Sequence, residues 1–209
     1  MATAPDARGE LLSFDWLGAC QRAVEGLRDV LAANPTSHER VIETGETGEG
    51  GDQTLVIDAA AEDAVFAQLD RLYADGARFT AVSEERGYVD FGSPDALVVI
   101  DPIDGSMNAK RGLTHHALSI AVAEGPTMAD VVFGYVYDLG VGEEWVAERG
   151  AGAQLDGERL DPALGERRTR DGRLELIGIE SADPRWVRDH ADALVGTSHR
   201  LRAIGAIAI

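Results

Sequence analysis

The apolar run at residues 96–100 ends in two carboxylates. Its β-branched side chains stand between turn-forming residues, which predicts a buried strand. The chain continues as Asp101-Pro102-Ile103-Asp104-Gly105-Ser106, so two acidic side chains lie three positions apart where we expect a turn. Carboxylates held this close repel each other unless a cation lies between them, and Mg²⁺ prefers oxygen ligands. A helix starting after Gly105 would also point backbone N–H groups at an anion. The pattern predicts a metal-dependent phosphate site.

Two further acidic motifs precede this segment. The sequence Ser83-Glu84-Glu85 ends another short apolar run, and residues 51–58 lead into a helix on which Asp58 and Glu62 are one turn apart. An Asp-rich turn that merely ends a strand is the alternative explanation for residues 101–104, since Asp and Gly are ordinary turn residues. The additional carboxylates favour the metal site.

Together these motifs resemble the inositol monophosphatase family of Mg²⁺-dependent, lithium-sensitive sugar phosphatases, which also includes fructose-1,6-bisphosphatases. The resemblance is carried by the order Gly-Asp-x-Thr-x-x-Ile-Asp, Ser-Glu-Glu and Asp-Pro-Ile-Asp-Gly-Ser. The continuation Asn108-Ala109-Lys110-Arg111-Gly112 is similar to the branch that accepts both inositol phosphate and fructose bisphosphate. The resemblance implies an α+β fold, a layered α-β-α-β-α sandwich of the sugar phosphatase type. It also implies a phosphoric monoester hydrolase that uses two to three Mg²⁺ ions and is inhibited by Li⁺.

The resemblance implies four metal ligands in this chain. Glu84 would bind metal and help to hold the attacking water. Asp101 would bridge two metals, and the carbonyl of Ile103 would complete the first metal site. Asp104 would bind the second metal.

The resemblance also implies groups that act on the water and on the phosphate. The hydroxyl of Ser106 would orient the water and would donate a hydrogen bond to Asp58, so that Glu84, Asp58 and Ser106 are the catalytic residues. The amides of Gly105 and Ser106 would hold the phosphate. The implied reaction is direct attack by a metal-activated water on a small sugar or inositol phosphate.

Two other functions remain open at this point. A haloacid-dehalogenase-type phosphatase would phosphorylate an Asp, although its signature places two Asp residues two positions apart rather than three with Pro102 between them. A non-catalytic protein that only holds metal and phosphate is the other. Among the substrates, inositol monophosphate and fructose 1,6-bisphosphate are favoured, while histidinol phosphate and adenosine 3′,5′-bisphosphate stay open.

One element of the family pattern is missing from the sequence. The family supplies a further metal ligand from a Trp-Asp pair, and none of the three tryptophans here precedes an Asp. We therefore expect a single domain over residues 1–209 that is incomplete at its C-terminus and that binds metal weakly and turns over slowly. Within it we expect a metal-site subdomain at about residues 10–150 and the start of a second at about 151–209.

The charge of the chain limits its partners. Its formal net charge is −18, and Lys110 is the only lysine among 19 basic residues. Such acidity argues against nucleic acid and against an anionic membrane surface as partners. The sequence shows neither a leader-like apolar segment nor a run of about 20 apolar residues, so we expect a cytoplasmic protein. The family resemblance allows a homodimer, but the sequence specifies no interface.

The periodicity predicts the following elements. Helices are expected from Ser13 or Asp15 to Ala33, over 58–74 and over 184–194, and strands over 79–83, 96–100, 117–123, 130–137, 144–147 and 174–179. The glycine-rich residues 43–52 could be a disordered linker, but the family resemblance implies a mobile loop that closes over the site, and we favour the loop.

Three residues near the motifs have open or secondary roles. Glu85 is expected to point away from Glu84, because adjacent side chains of an extended chain face opposite ways. Lys110 and Arg111 follow the phosphate turn, and they either contact phosphate or belong to a solvated loop.

Overall fold

Five α-helices and eleven strands make up the parts of the chain that the computed structural model describes, residues 11–47, 53–179 and 183–208. The helices are α1 (Trp16–Ala33), α2 (Val56–Ala74), α3 (Ser106–Arg111), α4 (Pro184–Asp189) and α5 (Ala191–Thr197). The strands are β1 (Glu43–Thr47), β2 (Gln53–Leu55), β3 (Phe79–Ser83), β4 (Gly87–Asp104), β5 (Ala117–Ala123), β6 (Val131–Asp138), β7 (Glu144–Glu148), β8 (Gly152–Leu155), β9 (Glu158–Arg159), β10 (Ile177–Ile179) and β11 (Leu201–Ala203).

Helix α1 begins and ends where the sequence predicts. The side chain of Asp15 caps it by accepting a hydrogen bond from the N–H of Gly18 at 2.9 Å. Asn34 ends the helix, just before Pro35. Between these ends the apolar face, which includes Trp16 and the other core residues of the helix, is buried.

A seven-stranded sheet, in the order β3-β4-β5-β6-β7-β8-β9, forms the centre of the molecule. Strand β4 follows an unusual course, because residues 87–91 return along β3 as a hairpin and residues 97–99 pair with β3 as well. In this second pairing Thr80 lies opposite Leu97 and Val82 lies opposite Val99. The later part of β4 then pairs with β5. The bent strand thus brings residues 101–104 next to the end of β3, where Glu84 follows.

Helices α1 and α2 pack together against this sheet. The ring of Trp16 meets the edge of Phe79 on β3 at 5.6 Å between centroids, and Phe91 stacks on Phe79 at 4.7 Å. Phe66 of α2 lies 6.3 Å from Phe91. Burial of these aromatic side chains fixes α2, and with it Asp58, relative to the ends of β3 and β4.

The α+β class is confirmed, and four predicted elements differ in detail. Residues 43–47 are strand β1, paired with β2, rather than a loop, and residues 48–52 lie outside the described residues. The strand predicted over 96–100 runs on to Asp104. The helix predicted over 184–194 breaks at His190, which is the C-cap of α4. The strand predicted over 174–179 is reduced to β10.

The extension of β4 beyond residue 100 has a visible cause. Pro102 lies where the pairing of β4 with β5 is irregular, between the partners of Asp101 and Asp104. Because Pro102 has no N–H to donate, an irregular position costs the sheet few hydrogen bonds, and the strand can continue through it.

The helices in the described ranges lack the combination of length and apolar character that is needed to span a membrane.

Candidate active site

A small acidic cavity of about 80 Å³ lies where β3 and β4 end and α2 and α3 begin. The residues that line it are Asp58, Ala61, Glu84, Glu85, Asp101, Pro102, Ile103, Ser106 and Lys110. Five of the seven predicted site residues are therefore together, although they come from three separate motifs. The other two predicted site residues, Asp104 and Gly105, are described by the structure but do not belong to the lining of this cavity.

Backbone geometry fixes the segment that carries the paired aspartates. The side chain of Asp101 accepts a hydrogen bond from the N–H of Ile103 at 3.1 Å, which holds its carboxylate against the strand. The turn comes only at Gly105, whose φ is +80°. A Cβ at Gly105 would lie 2.7 Å from the carbonyl oxygen of His115 and 2.9 Å from Cβ of Ala206. Only glycine fits this crossing without displacement of its neighbours.

Asp104 is buried and turned toward another part of the chain. Its Oδ2 accepts hydrogen bonds from the backbone N–H groups of Ile207 at 2.8 Å and Ala208 at 2.6 Å. Both acceptor positions of Oδ2 are then in use, so Oδ1 is the oxygen through which Asp104 could bind a cation. Nearby, Asn108 donates to the carbonyl oxygens of His115 at 2.7 Å and Ile204 at 2.6 Å. Sequence reasoning missed the contacts with Ile204, Ile207 and Ala208, because they join residues about one hundred positions apart.

The neighbouring negative charges help to raise the pKa of Asp101. Burial, followed by the repulsion of Asp104 and of Glu84, raises the pKa of Asp101 to about 7. The hydrogen bond from Ile103 opposes this rise but does not cancel it. A cation that enters the cavity would stabilise the ionised form of this carboxyl group, because it offsets the repulsion.

Lys110 is the one cation among the described residues that line the cavity. Its Nζ lies 3.1 Å from Oδ2 of Asp58 and 3.5 Å from the hydroxyl of Ser106. The side chain of Lys110 is 21% exposed and that of Asp58 is 14% exposed. Of the two roles left open by the sequence, the solvated loop is therefore wrong for Lys110, whereas Arg111 is exposed.

Both of the paired glutamates belong to the lining. That Glu85 shares the cavity with Glu84 does not fix the direction of its side chain, so the expectation that it points away from Glu84 stays a prediction. The two residues lie in a turn between β3 and β4, where the alternation of an extended chain does not apply.

The donor set fits a hard divalent cation in its chemistry. Four acidic residues and Ile103 line one cavity, and carboxylate and carbonyl oxygens are what Mg²⁺ binds. The arrangement is not a closed cage, since within the described ranges no three acidic, histidine or cysteine side chains converge on one point. Two of the acidic side chains already have partners, since Asp104 accepts from the amides of residues 207 and 208 and Asp58 pairs with Lys110.

The fold and the cavity define an α+β protein with a carboxylate-lined site at the ends of two strands of its central sheet. The sequence model of the inositol monophosphatase family matches residues 14–208, and the chain belongs to this family. Members of the family are generally metal-dependent.

Several characterised proteins are similar to the chain. The fructose-1,6-bisphosphatase/inositol-1-monophosphatase of Archaeoglobus fulgidus is 36% identical over 135 residues, which are 65% of this chain and 50% of that protein. The protein of the same name from Methanothermobacter thermautotrophicus is 28% identical over 207 residues, 94% of this chain and 70% of that protein. Nus factor SuhB of Escherichia coli K12 is 34% identical over 78% of this chain and 57% of that protein. The chain thus spans between half and seven-tenths of the length of these relatives.

Solved structures share the fold. A crystal structure of an inositol monophosphatase–fructose 1,6-bisphosphatase superposes with a TM-score of 0.72 at 23% identity, covering 92% of this chain and 69% of that one. The inositol monophosphatase of Thermotoga maritima superposes with a TM-score of 0.65 at 24% identity, over 92% of this chain and 69% of that one.

Proposed function

We propose that the chain forms the metal site of a phosphatase that hydrolyses a phosphate monoester of a small sugar or inositol by direct attack of a metal-activated water. The observation that carries the proposal is the convergence of Asp58, Glu84, Asp101, Ile103 and Ser106 on one cavity. Membership of the inositol monophosphatase family supports the same reaction.

Four residues would hold the metal. Glu84 and Asp101 would contribute carboxylate oxygens, Ile103 its carbonyl and Asp104 its Oδ1. When bound, Mg²⁺ supplies positive charge against the phosphate oxygens and lowers the pKa of water, and we expect two to three ions and inhibition by Li⁺. The raised pKa of Asp101 supports this assignment, because a cation relieves the repulsion that raises it.

The remaining site residues would orient the reactants. Glu84 would hold the attacking water, and Ser106 would align it while Asp58 fixes the hydroxyl. The backbone N–H groups of Gly105 and Ser106, at the start of α3, would receive the phosphate. Each group acts by position and charge, which is where phosphoryl transfer gains most of its rate.

The substrate assignment follows the relatives. Their names join fructose-1,6-bisphosphatase and inositol-1-monophosphatase, so these two phosphate esters are the first substrates to test. The net charge of −18 continues to argue against nucleic acid and anionic membranes as partners. A homodimer and a cytoplasmic location remain predictions.

The experiment that separates this reaction from its rivals is an acid-quenched single turnover with ³²P-labelled inositol monophosphate and Mg²⁺, using the protein as encoded by its full reading frame. We expect label in free phosphate and none on the protein. Label retained on the protein and lost in Asp101→Asn would instead support phosphorylation of Asp101. Bound substrate with no turnover would support a protein that only holds metal and phosphate.

A further inference from the structure

A single ammonium group lies in a cavity that is otherwise acidic. Lys110 is the only lysine of the chain, and it lines the cavity together with Asp58, Glu84, Glu85 and Asp101. All other basic residues of the chain are arginines or histidines, so the chain places its one compact, strongly hydrated point charge at this position. An ammonium group can exchange one oxygen partner for another more readily than a forked guanidinium.

The contacts of Lys110 join two of the predicted catalytic residues. Its Nζ lies 3.1 Å from Oδ2 of Asp58 on α2 and 3.5 Å from Oγ of Ser106, one turn earlier on α3. The ion pair is largely shielded from water, with exposures of 21% and 14%. Its neighbour Arg111 is exposed on the same helix. Lys110 thus neutralises Asp58 and links α2 to α3 through side chains.

We propose that Lys110 is a resident cation of the cavity, which positions Asp58 and Ser106 in the metal-free protein and leaves Asp58 when a divalent cation binds. The proposal rests on the function proposed above, because the divalent cation belongs to it. Like charges in one small cavity repel, so a divalent ion held by Glu84 and Asp101 would push the ammonium away from its place beside Asp58. Lys110 is a positioning residue in this account and lowers the affinity of the cavity for metal.

Lys110 can be observed directly. Selective ¹³C-lysine labelling isolates the lysine Cε–Hε signals in the NMR spectrum, and the signal of Lys110 is assigned by its absence from the spectrum of Lys110→Gln. We expect Mg²⁺ titration to move it, in a saturable way, toward the position that it has in metal-free Asp58→Asn. Metal affinity is measured in parallel as the loss of the free Mn²⁺ signal in electron paramagnetic resonance.

The variants give the second half of the test. Lys110→Met and Lys110→Gln are expected to bind Mn²⁺ about tenfold more tightly than the wild type, because the local repulsion is gone. Arg111→Met removes the same charge from the exposed face of α3 and is expected to change the affinity less than about twofold. Thermal unfolding followed by circular dichroism verifies that each variant is folded.

Two results would overturn the proposal. One is a lysine signal that does not move during Mg²⁺ titration, whether or not the ion binds. The other is an equal Mn²⁺ affinity in the Lys110 variants and in Arg111→Met. Neither readout uses catalysis, so a protein that binds Mn²⁺ as expected but releases no phosphate would count against the phosphatase proposal alone.

Discussion

Oδ2 of Asp104 accepts hydrogen bonds from the backbone N–H groups of both Ile207 and Ala208, 103 and 104 positions further along the chain. Oδ2 of this carboxylate thus holds residues 207 and 208 in place. Its other oxygen, Oδ1, is the one that we propose as a metal ligand. Hydrogen bonds to a charged acceptor are the stronger kind, and these are partly buried.

Asp104→Ala should therefore weaken the fold as well as metal binding. We expect the free energy of unfolding to fall by about 2 kcal/mol and the amides of residues 207 and 208 to exchange faster. Chemical denaturation and hydrogen exchange measured by mass spectrometry test this. Asp104→Asn keeps an acceptor oxygen and should lose less stability than Asp104→Ala, so equal losses would argue against the amide contacts.

The raised pKa of Asp101 gives a pH dependence with a definite sign. Its pKa is about 7 in the folded protein and 3.8 as an ordinary Asp, so the folded state binds the extra proton between these values. The free energy of unfolding of the metal-free protein should fall as the pH rises from 4 to 7, by roughly 3 kcal/mol from this group. Denaturation in EDTA across this range checks it.

Asp101→Asn is the matched comparison for that measurement. The amide cannot titrate, so the variant should lack this part of the pH slope and should be more stable than the wild type at pH 8 without metal. It should also lose stabilisation by Mg²⁺. The same slope in both proteins would show that Asp101 has an ordinary pKa.

An ion pair between the partly exposed Arg86 and the buried Glu62 supports the turn that carries the paired glutamates. Nε of Arg86 lies 3.0 Å from Oε2 of Glu62, whose side chain is 2% exposed, and its guanidinium lies 4.3 Å from the centre of the Phe66 ring. Arg86→Met leaves the Glu62 carboxylate without this cation, and we expect a loss of about 3 kcal/mol in the free energy of unfolding.

Arg78→Met is the control for the aromatic contact of Arg86. Its guanidinium lies 4.4 Å from the centre of the Tyr73 ring, and its Nη1 donates to the carbonyl oxygens of Tyr73 and Ala77. Because Arg78 has no carboxylate partner among the described residues, Arg78→Met should cost about 1 kcal/mol. If the two variants lose the same stability in urea denaturation, the ion pair with Glu62 is not the cause.

Two glycines with nearly the same φ angle allow the cost of backbone strain to be distinguished from the cost of side-chain crowding. Gly105 has φ of +80° and close neighbours, whereas Gly112 has φ of +71° and no atom within 4 Å of a Cβ. Gly112→Ala should cost about 1 kcal/mol of stability, the price of the left-handed conformation alone. Gly105→Ala should cost about 3 kcal/mol, because the Cβ would also meet His115 and Ala206. Equal losses in thermal unfolding would contradict the crowded crossing.

Local signals predicted much of the fold. The cap at Asp15 and the Asn34-Pro35 end define α1, and the apolar run of β5 is confirmed as Ala117–Ala123. The end of β4 was not predictable, because Pro102 is ordinarily a sign of a turn and only the irregular pairing with β5 accommodates it. The break at His190 was not predictable either, because no Gly or Pro marks it in the sequence; there the ring of His190 stacks on that of Trp186, and its Nδ1 lies 2.9 Å from the carbonyl oxygen of Trp186.

The acidic lining of the site was predictable because its residues belong to three compact motifs. Asp58, Glu84 and Asp101 each end a recognisable apolar pattern, and the fold brings those ends together. The contacts of Lys110 and Asp104 were not predictable, since each joins residues that only the tertiary structure brings close. Charge balance in the cavity depends on these long-range contacts.

The most direct test of the account is phosphate release from inositol monophosphate and fructose 1,6-bisphosphate by the protein encoded by the full reading frame. The account predicts release with Mg²⁺, none with EDTA, inhibition by Li⁺, and loss of activity by at least about a hundredfold in Asp101→Asn. The exposed Asp90, whose side chain accepts a hydrogen bond from Gly92 at 2.7 Å, provides the control variant Asp90→Asn, which should remain active. Release that persists in EDTA, or that survives Asp101→Asn, would contradict it.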